Sequence, residues 1–250
     1  MSLEDARARV KMTLDALPAS INTDYFRGAK VLDIGCGTGS GVIAALRLGA
    51  AMAVGVDRDA NEFGYPYFKE VAVEYGVNSR PSILIEGDIF DLNLFCGGFD
   101  IVMMYDAIEH VPNPKAFVEV CGKHLRPGGV GLIVTCPLYY SAVGHHLWGS
   151  FPESEMPWAH LYYDFQEKLE AANIGDWALQ RFRELNKVTK PELIRYIREA
   201  GMAVLSDKSI VHPRFPPLLE KFGHLIDMSL VPSREDLLCD NVSLLFTKGW

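Results

Sequence analysis

Short apolar runs alternating with stretches of helical period organise the first half of the chain. Residues 30–34, 52–56, 82–85, 99–104 and 131–135 are continuously apolar or nearly so and too short for helices. Such runs predict strands buried on both faces. Between them, residues 42–48 and 116–125 have helical character, with Ala116, Phe117, Val120, Cys121 and Leu125 on one face. An opening segment, 3–17, sets Leu3, Ala6, Val10, Leu14 and Leu17 at helical spacing and stops at Pro18, which predicts a covering helix. Alternating strands and helices imply an α/β fold: a doubly wound, Rossmann-like parallel sheet with right-handed crossovers.

The texture changes after the fifth strand. Residues 137–188 are crowded with Tyr139, Tyr140, His145, His146, Trp148, Trp158, His160, Tyr162, Tyr163 and Trp177. This reads as an aromatic-rich cap inserted over a site, with Trp158 and Trp177 individually expected to be packing residues. Regular structure resumes at Thr189, where Thr189 and Glu192 have capping-box spacing, Leu193, Ile194 and Ile197 form an apolar face, and Gly201 supplies a stop. Two further strands are expected at 204–211 and 242–247, separated by a proline-rich connection. The expected organisation is one domain over 1–250: a covering helix (1–28), a core (29–136), the cap (137–188) and a closing helix with strands (189–250).

Composition narrows the partners. The 250 residues carry 32 Asp and Glu against 24 Lys and Arg, a net charge of −8, which repels nucleic acid and anionic membranes at long range. The five cysteines (36, 96, 121, 136 and 239) are scattered, odd in number and without a CxxC pair, so free thiols in a reducing compartment are expected. With no apolar leader and no run near the roughly 18 apolar residues of a membrane span, the expected location is the cytoplasm.

The candidate chemistry begins where the first strand runs into Gly35, Gly37 and Gly39 and a helix follows. Glycines there permit a tight turn and let a ligand approach the backbone at the helix N-terminus. Asp57 ends the next strand 22 residues after Gly35, the spacing at which a carboxylate can accept from a ribose diol. Asp33 precedes the turn, where added negative charge disfavours a pyrophosphate and suits a cation. A nucleoside with an ammonium, a sulfonium and no phosphate, S-adenosylmethionine, meets these demands. Asp88 and Ile89 follow the third strand, placed to read an adenine, and the fourth strand delivers Tyr105 and Asp106 to the same sheet edge. A nicotinamide dehydrogenase is the rival, but the only Tyr-x-x-x-Lys, Tyr65 to Lys69, contains Pro66 and comes too early.

The set VLDIGCGTG, Asp57, Gly87-Asp88, FDIVMMYDAIEHV and LRPGG at 125–129 resembles the class I S-adenosylmethionine-dependent methyltransferases over residues 30–136. The resemblance implies a seven-stranded sheet whose last strand is antiparallel. It further implies that Gly35, Gly37 and Gly39 line the methionine end of the cofactor, that Asp57 takes the ribose, that Asp88 and Ile89 take the adenine, and that Arg58 lies over it.

Residues 106–114 resemble the E-H-V motif of the methyltransferases that O-methylate the ubiquinone ring precursor. That resemblance associates Asp106, Glu109 and His110 with a divalent metal, Asp106 being a methylene shorter than the acid usual there. Glu109 and His110 also occur in class I methyltransferases that use no metal, where they hydrogen-bond neighbouring loops. Methyl transfer to a hydroxyl needs a general base, for which His110 is the first candidate and His145 and His146 the next. The expected activity is methylation of a small organic acceptor, most readily at oxygen. An N- or C-methyltransferase or a non-catalytic cofactor-binding scaffold are the alternatives. A nucleic-acid substrate is disfavoured, because Tyr105-Asp106-Ala107-Ile108 stands where an Asn/Asp-Pro-Pro-Tyr/Phe stretch would be.

Overall fold

A computed structural model of the chain describes residues 2–59, 65–92, 94 and 97–249; Cys96 lies outside them. The strands are β1 (Lys30–Ile34), β2 (Met52–Asp57), β3 (Ser82–Glu86), β4 (Phe99–Tyr105), β5 (Leu125–Thr135), β6 (Met202–Asp207), β7 (Ile210–Val211) and β8 (Cys239–Lys248). Their order is β3-β2-β1-β4-β5-β8-β6, with the two-residue β7 paired to β8. β1 to β5 run parallel, and β8 is antiparallel to both of its neighbours, with Leu132 opposite Leu245. The seven-strand path and its antiparallel last strand match the expected fold. The late strand anticipated at 204–211 is instead two, β6 and β7.

Successive side chains on each strand enter opposite cores, because a strand's side-chain period is two. Val31, Ile101 and Met103 pack with α1 (Leu3–Ser20), α2 (Ser40–Arg47) and α3 (Tyr65–Glu74). Leu32, Val102 and Met104 pack on the other face with α4 (Pro114–His124) and, further along the chain, the helix Lys190–Glu199. This is double winding in physical terms: a sheet with both faces covered. The covering helix α1 begins with a complete capping box, Ser2 with Asp5, and buries Ala6, Val10 and Leu17. It runs two residues past Pro18, which keeps a helical φ in the last turn.

The cap contains α5 (Phe165–Ala171) and α6 (Asp176–Glu184), neither with a fully buried residue. The helix Lys190–Glu199 is α7, with the capping box of Thr189 and Glu192 in place. α8 (Phe215–Phe222) and α9 (Arg234–Leu238) occupy the proline-rich connection before β8. A third apolar cluster joins Tyr139, Tyr140, Trp158 and Leu161 of the cap to Phe215. Trp158 is fully buried and donates its indole N–H to Leu237 O, whereas Trp177 is 62% exposed, so only the first of the two is a packing residue. No described helix is long and apolar enough to cross a membrane.

Candidate active site

The carboxyl ends of β1, β2 and β4 are neighbours in register, with Asp33 beside both Gly55 and Met103. Ligands of doubly wound folds bind at this edge. Gly35, Gly37 and Gly39 all have positive φ, 75°, 50° and 78°, a backbone that side chains disfavour. At Gly35 a Cβ would also lie 2.5 Å from the Cβ of Ala107, so the glycine turn touches the segment that follows β4. The two halves of the site are thereby in contact.

Asp57 fixes the turn. One of its oxygens accepts the Gly37 amide at 2.7 Å and the other the Asp59 amide at 2.9 Å. Each oxygen retains a lone pair for a diol. Asp33 is buried, its Oδ1 has no hydrogen-bond partner, and the same is true of the Thr38 hydroxyl in the turn. Burial, followed by the neighbouring charge of Asp57, raises the Asp33 carboxyl to about 8. Gly41, which sequence reasoning passed over, gives Asp33 its space: a Cβ there would stand 2.3 Å from Asp33 Oδ2. Orphaned buried acceptors cost free energy. A ligand ammonium would satisfy them, so these residues fit S-adenosylmethionine. Ile89 is buried, Asp88 accepts the Phe90 amide, and the exposed Arg58 leans toward Asp59 at 3.9 Å. Tyr105 is half-buried at the end of β4, where burial raises its phenol to about 12.

Beyond β4 the chain turns through Asp106 at φ 50° and forms a 3-10 turn, Ile108–His110. Asp106 Oδ1 accepts the Cys136 amide; surrounding protein desolvates the carboxyl and raises it to about 6. Glu109 is 1% exposed and accepts the Thr135 hydroxyl at 2.7 Å, a contact the sequence did not reveal. Burial, then Asp106, raises the Glu109 carboxyl to about 8, which keeps it protonated at neutral pH. His110 Nε2 lies 3.9 Å from Glu109 Oε1. Among the described residues, no three His, Cys, Asp or Glu side chains form a metal-holding group. The donor set Asp106, Glu109 and His110 therefore does not fit a metal in this arrangement.

His110 meets His146 edge to face, ring centroids 5.1 Å apart. Burial, then His146 and Arg181, lowers its titration to about 4, so the ring is neutral at ordinary pH. His146 is a non-glycine residue at φ 55°, held by a 3.3 Å contact from Nε2 to Pro137 O and flanked by the exposed Trp148. Backbone strain of this kind concentrates at functional sites. His145 points elsewhere. It is fully buried, its Nδ1 accepts the Leu147 amide, and its ring faces His160 at 5.3 Å, where His160 Nε2 donates to Tyr139 O. Of the three candidate histidines, the structure brings two together. A groove of about 330 Å³ runs between Arg58 and Asp59 on one side and Trp177, Gln180, Arg181 and Glu184 of α6 on the other, with Arg181 reaching Asp59 at 3.4 Å.

A family model described as a methyltransferase domain matches residues 4–207. The chain is 30% identical over 211 residues to the ubiquinone biosynthesis O-methyltransferase of Mesorhizobium japonicum, covering 82% of this chain and 71% of that one. It is 24% identical over 210 residues to the protein of the same name from a Chelativorans species, with coverage of 82% and 70%. The S-adenosylmethionine-dependent methyltransferase of Mesorhizobium loti has a similar fold, with TM-score 0.58, 14% identity and coverage of 99% and 100%. So does the geranyl diphosphate C-methyltransferase of Streptomyces coelicolor, with TM-score 0.59, 14% identity and coverage of 93% and 77%. Because the family match spans most of a chain that also carries the glycine turn and its acidic anchors, the chain belongs to the methyltransferase-domain family and is an S-adenosylmethionine-dependent methyltransferase.

Proposed function

We propose that the enzyme methylates a hydroxyl oxygen of a small organic acceptor, with His110 as the base and His146 beside it. The carrying observation is the contact of Ala107 with Gly35, which sets the His110 turn against the cofactor turn. The O-methyltransferase names of the curated relatives support the choice of oxygen. When bound, S-adenosylmethionine supplies an electrophilic methyl group on a sulfonium.

The protein's own contribution is chiefly alignment, since in-line displacement demands that the acceptor be held against the methyl carbon. With the methyl group supplied by the bound cofactor, the acceptor O–H would become strongly acidic as its oxygen is alkylated, and its proton would pass to the base. A base that titrates near 4 is then sufficient, and its neutrality at ordinary pH keeps it ready to receive the proton. A proton on His110 also favours ionisation of Glu109, 3.9 Å away, giving the charge a partner. Arg58, Asp57, Asp88, Ile89 and Tyr105 are assigned to the cofactor, and the aromatic cap to the acceptor body.

The test is a panel of phenols, amines and activated carbon acids with methyl-labelled cofactor. Label in phenols alone supports the reading. Label in amines or carbon acids alone overturns the choice of oxygen, and binding of the cofactor without turnover on any acceptor favours a scaffold.

A further inference from the structure

The 3-10 turn that presents Glu109 and His110 has few means of its own to hold its shape: three residues, no side-chain cap, and a neighbour, Asp106, in the left-handed region. A turn of this length cannot order an imidazole by itself, because a single helical turn fixes several dihedrals for little hydrogen bonding. Its backbone carbonyls are instead taken by one residue distant in sequence. Asn186 donates its side-chain amide to Ile108 O at 2.7 Å and to Val111 O at 2.8 Å, and its backbone N–H to Glu109 O at 3.0 Å. Its Oδ1 meanwhile accepts the Val188 amide at 3.0 Å. Both amide protons and the amide oxygen of the side chain are thus engaged, and three carbonyls spanning the turn are bound from one point.

Asn186 lies two residues beyond the end of α6, whose Arg181 is paired with Asp59 beside the proposed ribose anchor. A single stretch of chain therefore grips the cofactor loop at one end and the His110 turn at the other. Phe182 of α6 and Leu185 after it pack into the apolar cluster around Tyr139 and Leu161, which locates the stretch, while the polar contacts of Arg181 and Asn186 tie its two ends to their particular partners.

We infer that Asn186 is a positioning residue for the acceptor base, clamping residues 108–111 so that His110 faces His146. This rests on the reading of His110 given above, but its test needs no methyl transfer. In protein carrying ¹³C-labelled histidine, ring-proton cross-relaxation is measured for two pairs at similar separation: His110–His146 at 5.1 Å and His145–His160 at 5.3 Å. Peaks are assigned by single histidine replacements. In Asn186→Ala the first cross-peak is expected to vanish and the second to persist, with calorimetric affinity for S-adenosylhomocysteine unchanged.

A residue that merely stabilised the fold would affect both pairs or neither, and either result would overturn the inference. Asn186→Asp keeps the shape and the acceptor for Val188 while replacing the donating amide, and carries the same readout should the alanine variant not fold. Failure of both variants to fold would likewise overturn the positioning role. Absence of turnover on every acceptor bears on the proposed reaction and leaves this readout intact, so the two can fail separately.

Discussion

Asp57 accepts the Gly37 amide at 2.7 Å, so the residue that ends β2 also sets the shape of the turn after β1. One carboxylate serves both the architecture of the cofactor turn and the proposed diol contact. Asp57→Ala is expected to weaken S-adenosylmethionine binding by about 1.5–3 kcal/mol, the scale of hydrogen bonds to a charged group. Isothermal calorimetry measures it, and an unchanged affinity would remove Asp57 from the site.

Asp33 gives a pH signature. Its carboxyl titrates near 8 in the folded chain against an ordinary value of 3.8, so the fold binds a proton that the unfolded chain has lost. Stability from this group is fully present below about 4 and declines as pH rises toward 8. Glu109, raised to about 8, and Asp106, raised to about 6, act with the same sign. Asp33→Asn should therefore flatten, without abolishing, the loss of stability across that window in denaturation curves at stepped pH. A cation beside Asp33 favours its ionised form, so cofactor binding at pH 7 should release a proton in the parent that is missing in the variant.

Glu109 is a neutral acid accepting the Thr135 hydroxyl, and its environment asks for shape and hydrogen bonding more than for charge. Glu109→Gln should leave stability within about 1 kcal/mol of the parent, whereas Glu109→Ala, which opens a cavity and strands Thr135, should cost about 2–4 kcal/mol. Equal losses in urea titrations would contradict the neutral assignment.

The adjacent histidines should separate cleanly. His145→Ala removes a fully buried ring and should cost stability, about 2–4 kcal/mol, with turnover per folded molecule retained. His146→Ala should leave the melting temperature nearly unchanged and lower kcat by about tenfold or more on the acceptor that the panel selects. The reverse pattern would move the acceptor side away from His110.

The glycine turn and its acid, assigned by proposal to the cofactor, were legible because their signals are local. A strand that must be buried on both faces, three glycines that alone tolerate the turn, and an acid at the end of the next strand are short-range demands. The acceptor half depends on contacts distant in sequence. Nothing in the letters separates His145 from His146; a left-handed residue at the second sends the two rings to different neighbours. Trp158 and Trp177 are alike in composition, yet one lies in a core completed by Phe215 and Leu237 and the other stands in solvent beside Arg181. Asn186 belongs to no motif at all, and its role exists only because α6 returns the chain to residues 108–111.

The position of β8 between β5 and β6 has a consequence for biosynthesis. Residues 239–248 are the wedge that joins the parallel strands to the outermost one, so a nascent chain lacking them exposes an unpaired β5 edge flanked by Leu132 and Val134. An open apolar edge is a template for aggregation. A nascent chain in which residues 239–248 have not yet paired is therefore expected to need shielding of that edge.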